Sequence, residues 1–181
     1  MDLSHNERRF AWEKRRLVAE MSREEMQRHL LTSEATGLPN RRAFEEAEQS
    51  PFVAMSDLDG LKAVNDTYGY EAGDMLLKAK ATALREAGLN AYHDKGDEFL
   101  FRSNSVTDLQ DGLERARARL RFCQIAVKDD SGKTLHFAGA DFSYGLGTSL
   151  RDAELSLKRR KAERHAAGEL ARGVLCGIRL L

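Results

Sequence analysis

The chain has 181 residues, a length that predicts one domain with a hydrophobic core and a smaller appendage. Acidic and basic residues number 29 each, which excludes a whole-molecule field favouring nucleic acid or an anionic membrane. Cys123 and Cys176 lack CxxC spacing, so reduced thiols are expected rather than a disulfide framework. No apolar run approaches the roughly 18 residues of a membrane span, and the polar N-terminus is unlike a signal peptide. We therefore expect a soluble, cytoplasmic protein.

The first segment, from about Leu3 to Leu31, is rich in Glu, Arg, Lys, Met and Leu and contains no Gly or Pro. This composition predicts one long helix with a sparse apolar stripe. The stripe consists of Phe10, Leu17, Met21 and Leu31. Its spacing is too irregular for a heptad, which favours a helix on the flank of the domain over a coiled-coil arm. Gly and Pro within residues 36–40 end the helix, so we divide the chain into a helical arm (1–31) and a domain (32–181).

Helical and strand periodicities alternate along the domain. The predicted elements are a helix at 41–47, a strand running from 52 into 57, a helix containing 62–66, a helix at 71–87, a hairpin at 91–101, a helix at 105–121, strands at 122–127, 134–138 and 142–147, a helix from 149 to about 170 and an edge strand within 174–181. The order β-α-β-β-α-β predicts an α+β fold, an α/β sandwich with a ferredoxin-like core. Its central sheet would be mostly antiparallel and flanked by helices.

The predicted hairpin at 91–101 carries the first candidate site. Its turn places two adjacent carboxylates, Asp97 and Glu98, directly beside Gly96. Packing requires no charge at a hairpin tip, whereas a hard divalent cation takes oxygen donors. The tip therefore favours a ligand-binding role.

A second acidic pair, Asp57 and Asp59, lies at the end of the first predicted strand. Strand alternation puts both carboxylates on the same side, with the carbonyl of Leu58 between them. Asp57, that carbonyl and Asp97 could hold one or two magnesium ions. Alone, Asp57 would be interpreted as a cap of the following loop. Together with the acidic tip it favours a metal site.

Five short motifs between Thr32 and Gly168 follow one another in the order seen in one known family. They are Thr36-Gly37-Leu38-Pro39-Asn40-Arg41-Arg42, Asp57-Leu58-Asp59, Lys62-Ala63-Val64-Asn65-Asp66-Thr67-Tyr68-Gly69, Ala72-Gly73-Asp74 and Gly96-Asp97-Glu98-Phe99. This stretch resembles the GGDEF domain of diguanylate cyclases, which has a sheet like the palm of nucleotide cyclases and polymerases. The resemblance implies condensation of two GTP molecules into cyclic di-GMP, with one GTP held by each half of a transient homodimer.

The resemblance also implies roles for the acidic residues. Asp57, the Leu58 carbonyl and Asp97 would bind Mg²⁺ or Mn²⁺. Glu98 would help to activate the attacking 3′-hydroxyl, alongside Asp57 and Asp97 as the catalytic set. Two metal ions would lower the pKa of that hydroxyl and neutralise charge on the phosphates.

Further positions are implied to bind the nucleotide. Asn65 and Asp74 would recognise the guanine edge, since Asn both donates and accepts and Asp accepts from the N–H groups of guanine. Without the resemblance, helix capping would be the better interpretation of both residues. Lys62 and Lys161 would contact the phosphates, and Gly96 belongs to the same substrate-binding set. The family's arginine four residues after Lys161 is His165 here, so that neighbouring Arg164 is a candidate substitute.

The chain departs from the family pattern at several positions. Lys95 replaces the first glycine of the signature, although a Lys-Gly order still suits a tight turn. That lysine would either block GTP or add a cation near its phosphates. Glu86 and Leu89 stand where the Arg and Asp of the RxxD product-inhibition motif belong, so feedback inhibition is expected to be absent. Other replacements are Tyr70 for a common histidine and His93-Asp94 for an arginine-apolar pair.

Three functions are compatible with these motifs. The first is an active diguanylate cyclase without feedback inhibition, because all the implied metal and guanine positions are present. The second is a degenerate domain that binds GTP or a cyclic dinucleotide without turnover and signals through its N-terminal helix; Lys95 favours it. The third is a nucleotidyltransferase acting on another purine nucleotide, which Asn65 and Asp74 disfavour. In each case the input signal would arrive through the N-terminal helix or a partner protein, with no nucleic acid and no membrane involved.

Overall fold

A central four-stranded sheet forms the framework of this computed structural model, which describes residues 19–128, 132–169 and 179–180. The elements are α1 (Arg23–Leu31), α2 (Arg41–Glu46), β1 (Phe52–Leu58), α3 (Leu61–Tyr68), α4 (Tyr70–Glu86), β2 (Ala91–Lys95), β3 (Glu98–Ser103), α5 (Val106–Phe122), β4 (Ile125–Lys128), β5 (Thr134–Ala138), β6 (Phe142–Gly147), α6 (Leu150–Ala166) and β7 (Arg179–Leu180). The strand order of the main sheet is β2-β3-β1-β6, with antiparallel neighbours throughout. The predicted α+β fold with a mostly antiparallel, ferredoxin-like sheet is confirmed.

Helices cover both faces of the main sheet. The larger core joins α4 and α5 to one face and includes Leu76, Leu84, Leu113, Phe99 and Phe142. A smaller cluster on the other face is formed by Phe44, Val53, Leu100 and Ala153, from α2, β1, β3 and α6. Because β1 is hydrogen-bonded on both sides and covered on both faces, its C-terminal end has a well-defined position.

Helix α6 lies unusually close to strand β6. A Cβ atom added to Gly145 would lie 2.2 Å from the backbone nitrogen of Leu157, and one added to Gly147 would lie 2.6 Å from the backbone nitrogen of Ala153. Two glycines on the strand therefore allow the helix backbone to approach. Glycine within a strand often marks such a close approach of another backbone.

A second sheet with the order β4-β5-β7 extends the fold. Strand β7 pairs with β5, so the edge strand predicted in the final segment is present. The strand predicted at 122–127 begins later than expected. The prediction that it starts at Phe122 was wrong, because α5 continues to that residue and β4 starts at Ile125. Phe122 is 87% exposed at the end of this helix.

The N-terminal segment differs from the single long helix that was predicted. Ser22 is the N-cap of α1, and its side chain and that of Glu25 form a reciprocal capping box. Met21 and Ser22 are not helical, so a helix does not continue through this point. A capping box satisfies the free N–H groups of a new helix start and thereby favours the break. Phe10 and Leu17 of the predicted stripe lie outside the described residues. In those described, no helix has the length and apolar character needed to cross a bilayer.

Asp141, just before β6, is held by three guanidinium groups. Arg117 forms a bidentate ion pair with it, with both nitrogens 3.0 Å from its oxygens. Arg121 and Arg164 contribute further bonds at 2.6 and 3.0 Å. Burial opposes ionisation of this carboxyl, but the arginines outweigh burial and lower its pKa. Asp141 thereby connects α5, β6 and α6 through charge pairs.

Asp141→Asn should destabilise the fold by about 3 kcal/mol, because three buried or half-buried cations would lose their carboxylate partner. A lowered pKa in the folded state means that this stabilisation is present above the ordinary carboxyl range and is lost as the pH falls. The measurement is urea unfolding of wild type and variant at neutral pH and below about pH 4, where the difference should shrink. Asp111→Asn, an exposed substitution on α5, is the control and should change stability by less than about 0.5 kcal/mol. Equal stabilities of wild type and Asp141→Asn at neutral pH would contradict the assignment.

Candidate active site

The two acidic motifs meet at the end of β1. Strand pairing places Asp57 directly opposite Glu98 of β3. The backbone N–H of Leu58 donates to the carbonyl of Asp97 at 3.1 Å. Burial and then the negative charge of Asp97 raise the pKa of Asp57, as expected for two neighbouring carboxylates. The structure therefore brings the pair Asp57-Leu58 next to the pair Asp97-Glu98, about 40 residues further along the sequence.

The chemistry of this donor set fits a hard divalent cation. Asp57 and Asp97 offer oxygen ligands, and the repulsion that raises the pKa of Asp57 would be relieved by a bound cation. Within the described ranges there is no cluster of three or more His, Cys, Asp or Glu side chains suited to a metal. A metal ion here would thus need the two carboxylates together with backbone or substrate oxygens. The Leu58 carbonyl is the backbone ligand that the family resemblance implies.

The two lysines predicted to contact phosphates have different surroundings. The ammonium of Lys161, on α6, lies 2.5 Å from Oδ1 of Asp57. Lys62 lies on the exposed side of α3, where its ammonium pairs with Asp66 at 2.8 Å. Lys161 is therefore part of the acidic site, whereas Lys62 is not joined to it by any contact among the described residues.

Asn65, a predicted guanine contact, has an incomplete set of hydrogen bonds. Its Oδ1 atom is buried and has no hydrogen-bond partner in the described structure. The side chain lies against Gly73 of α4, where an added Cβ would come within 1.8 Å of that oxygen. Asp74, the other predicted guanine contact, is the next residue and is exposed. A buried acceptor without a partner is costly, and Gly73 places the Asn65 amide next to the exposed Asp74.

The hairpin tip leaves Lys95 in solvent. Its side chain is 77% exposed, and its ammonium lies 3.7 Å from Oε2 of Glu98. Gly96 has a φ of +53°, so the turn uses the left-handed conformation that glycine adopts readily. The pairing of β2 with β3 shifts register between His93 and Lys95, as a bulge at the tip requires. The lysine that replaces a family glycine is thus exposed to solvent and forms an ion pair with Glu98, the predicted proton acceptor.

His93 supports this hairpin, a role that sequence reasoning did not predict. Its ring stacks on Phe99 at 4.8 Å, and its nitrogens lie 2.6 Å from Oγ of Ser33 and 3.0 Å from the carbonyl oxygen of Gly96. Its backbone N–H donates to the carbonyl of Pro39 at 2.8 Å. The segment that follows α1 is therefore attached directly to the signature hairpin.

Arg164 is not available as a phosphate ligand. It donates to Asp59 at 2.6 Å and to Asp141 at 3.0 Å, and its side chain is 12% exposed. Asp59 is buried and also accepts from the hydroxyl of Ser143. The suggested substitution of Arg164 for the family's arginine is not supported, because these carboxylates already hold its guanidinium.

Lys80 of α4 is a buried cation near the site that sequence reasoning missed. Its side chain is fully buried, and its ammonium donates to the carbonyl of Asp97 at 3.3 Å. A signal was present in the sequence, because this lysine lies four residues after Leu76 and four before Leu84 on the apolar stripe of its helix. By contrast, a groove of about 480 Å³ beside α4 and β4 contains none of the predicted site residues.

Comparison with known proteins agrees with this geometry. The family model described as the GGDEF domain of diguanylate cyclases matches residues 31–149. Diguanylate cyclase DgcZ of Escherichia coli K12 is 33% identical over 50% of this chain and 33% of its own length. Diguanylate cyclase DgcP of Pseudomonas aeruginosa PAO1 is 32% identical over 59% of this chain and 18% of its own length. The chain thus spans a third or less of these curated relatives. A protein named as a cyclic di-GMP phosphodiesterase, PdeR of Escherichia coli K12, is 34% identical over 49% of this chain and 15% of its own length.

Solved structures show the same fold. Diguanylate cyclase SiaD of Pseudomonas aeruginosa, in complex with its activator SiaC, is 28% identical with a TM-score of 0.58, covering 87% of this chain and 72% of that chain. The coiled coil and GGDEF domain of DgcB from Caulobacter crescentus, at 22% identity and a TM-score of 0.57, covers 92% of this chain and 97% of that chain and supports the fold alone. Since the family model matches more than half of the sequence, this chain belongs to the GGDEF family of diguanylate cyclase domains.

Proposed function

We propose that the chain is a diguanylate cyclase, which condenses two GTP molecules into cyclic di-GMP at the interface of a homodimer. The observation that carries the proposal is the convergence of Asp57 with the Asp97-Glu98 tip at the end of β1. The placement of Asn65 against Gly73, next to Asp74, supports a purine ligand with N–H donors, since both side chains can accept hydrogen bonds. The family membership supports the reaction class.

Each residue of the site has a role in this reaction. Asp57, the Leu58 carbonyl and Asp97 would hold Mg²⁺, which neutralises charge on the triphosphate. Glu98 would accept the proton of the 3′-hydroxyl as its oxygen bonds to the α-phosphorus of the second GTP and pyrophosphate leaves. Applied twice, this step closes the cyclic product. Glu98 is partly exposed, and in the described part of the chain its ion-pair partner is the exposed Lys95, so it remains within reach of a substrate.

The nucleotide would be held by residues around this centre. Asn65 and Asp74 would receive the guanine N–H groups, and the backbone at Gly96 would lie near the phosphates. Lys161 now pairs with Asp57, and a cation bound at Asp57 would compete for the same oxygen. Lys161 would then be released towards the triphosphate, and Lys62 would reach it from α3.

The proposed enzyme lacks product inhibition through an RxxD site. Glu86 is engaged by Arg119 at 3.0 Å. Leu89 packs against α5, because a Cβ added to Gly112 would lie 2.5 Å from its side chain. A salt-bridged glutamate and a packed leucine do not form a site for a cyclic dinucleotide.

A second candidate is a degenerate domain that binds GTP or a cyclic dinucleotide without turnover. The contact between Lys95 and Glu98 favours it, because the lysine ammonium lies beside the carboxylate that would have to meet the 3′-hydroxyl. Such a domain, here proposed to begin at residue 32 after a separate helical arm, would signal through α1. The bonds of Ser33 and Pro39 to His93 support this route, because they join the segment after α1 to the hairpin.

Incubation with GTP and Mg²⁺ should yield cyclic di-GMP, detected by chromatography. Asp97→Ala should abolish the product, because the site loses one of its two carboxylates. Asp111→Ala, exposed on α5, is the matched control and should retain wild-type turnover. GTP binding by the wild type without any product would instead establish the degenerate-domain alternative, and product from ATP would establish a different nucleotidyltransferase.

Lys95→Gly should leave turnover unchanged or raise it, since the lysine is exposed and its removal frees Glu98. Steady-state kinetics with GTP provide the measurement. Lys95→Met separates the loss of charge from the added flexibility of glycine and should behave in the same way. Loss of turnover in both variants would mean that the lysine takes part in catalysis.

Gly73→Ala should weaken GTP binding by about tenfold, because the added methyl group displaces the Asn65 amide and removes one hydrogen bond to the base. Calorimetric titration with GTP measures this loss. In an Asn65→Ala background the same substitution should have little further effect, since both changes remove one interaction. Additive losses would show that Gly73 acts independently of Asn65.

A further inference from the structure

Lys80 is the one side chain on the apolar face of α4 that carries a charge. It is completely buried and shares its surroundings with the rings of Phe99 and Phe142. Its ammonium lies 4.2 Å from the centroid of the first ring and 4.9 Å from that of the second. Aromatic faces attract a cation but do not replace its lost hydration. Burial of the Lys80 ammonium therefore destabilises the fold unless nearby negative charge compensates for the lost hydration.

The compensating charge comes from the candidate metal site. The ammonium donates to the carbonyl of Asp97, which belongs to the hairpin tip itself. Burial lowers the pKa of Lys80 to about 7, while the negative charges of Asp57, Asp97 and Asp59 act in the opposite direction. The lysine therefore interacts with both proposed carboxylate ligands.

The two lysines whose charges act on Asp57 differ in exposure. Lys161 is partly exposed, on a side chain that a ligand can displace from Asp57. Lys80 is enclosed by α4, β3 and β6, so it cannot leave when another cation binds. The positive charge of Lys80 therefore repels any cation that enters the site. The repulsion is strong because the protein interior screens charge poorly.

We propose that Lys80 is a cation held in a fixed position inside the Asp57–Asp97 site and that, when protonated, it weakens the binding of a divalent metal ion there. This inference rests on the proposed function, since it assumes that these two carboxylates are metal ligands. Lys80 would set the metal concentration at which the site fills, and thereby the conditions under which the domain can hold a triphosphate. Its hydrogen bond to the Asp97 carbonyl would hold the tip in place while the site is empty.

The test is titration of the purified protein with Mn²⁺ alone, followed by the electron paramagnetic resonance signal of free Mn²⁺, in a buffer slightly below neutral pH. Lys80→Met removes the charge and keeps an unbranched side chain suited to a pocket lined by Phe99 and Phe142. Its affinity for Mn²⁺ should be about tenfold higher than that of the wild type. Lys78→Met makes the same change at an exposed position of the same helix and should bind as the wild type does.

Asp97→Asn in the Lys80→Met background should abolish the gain. This inference would be overturned if wild type and Lys80→Met bound Mn²⁺ with equal affinity. If Asp97→Asn weakened binding in both, the proposed metal site would still be supported. Weaker binding by Lys80→Met would also overturn it, because the lysine would then help to build the site. Binding that no Asp97 substitution affects would overturn the metal site itself. Circular dichroism verifies the fold of each variant, and Lys80→Gln replaces the methionine variant if that one does not fold.

Discussion

The antiparallel pairing of β1 with both β3 and β6 is the constraint on which the site depends. This register sets Asp57 opposite Glu98 on one side and opposite Ser143 on the other. Side chains alternate along a strand, so a slip of one residue would turn Asp57 to the other face of the sheet. Apolar residues of β1 are buried on both faces, which makes such a slip costly. The positions of the acidic side chains in the site therefore depend on the packing of a central strand.

Negative charge near the end of β1 is balanced by cations from two helices, α4 and α6. Asp57 pairs with Lys161 from α6, and Asp59 pairs with Arg164 of the same helix. Lys80 contributes from α4 on the side of the larger core. Half-buried carboxylates are tolerated in such surroundings because each has a cation within reach. The site can therefore fold before any nucleotide or metal arrives, and a ligand would exchange one set of charge pairs for another.

Local patterns sufficed to predict most of the fold and the meeting of Asp57 with Asp97. Strand alternation and the Gly-containing turn act over a few residues, and these signals identified β1 and the hairpin. The break at Ser22 was missed because its capping box lies in a polar stretch whose composition suits a helix on both sides. The positions of Arg164 and Lys80 were missed for another reason. Each is held by partners far away in sequence, and no local pattern specifies which carboxylate or carbonyl a long cationic side chain will reach.

The contact of Gly145 and Gly147 with the backbone of α6 has a consequence for how this domain can change over time. A larger residue at either glycine would push α6 away from the strand, and with it the cations that now meet Asp57 and Asp59. Natural variation can therefore exchange residues on the side of α6 that faces away from β6. It cannot gradually alter the distance or the angle between this helix and the strand. Sequence diversity in such a domain should accumulate in the chemistry of individual side chains while the spacing between the two backbones is inherited unchanged.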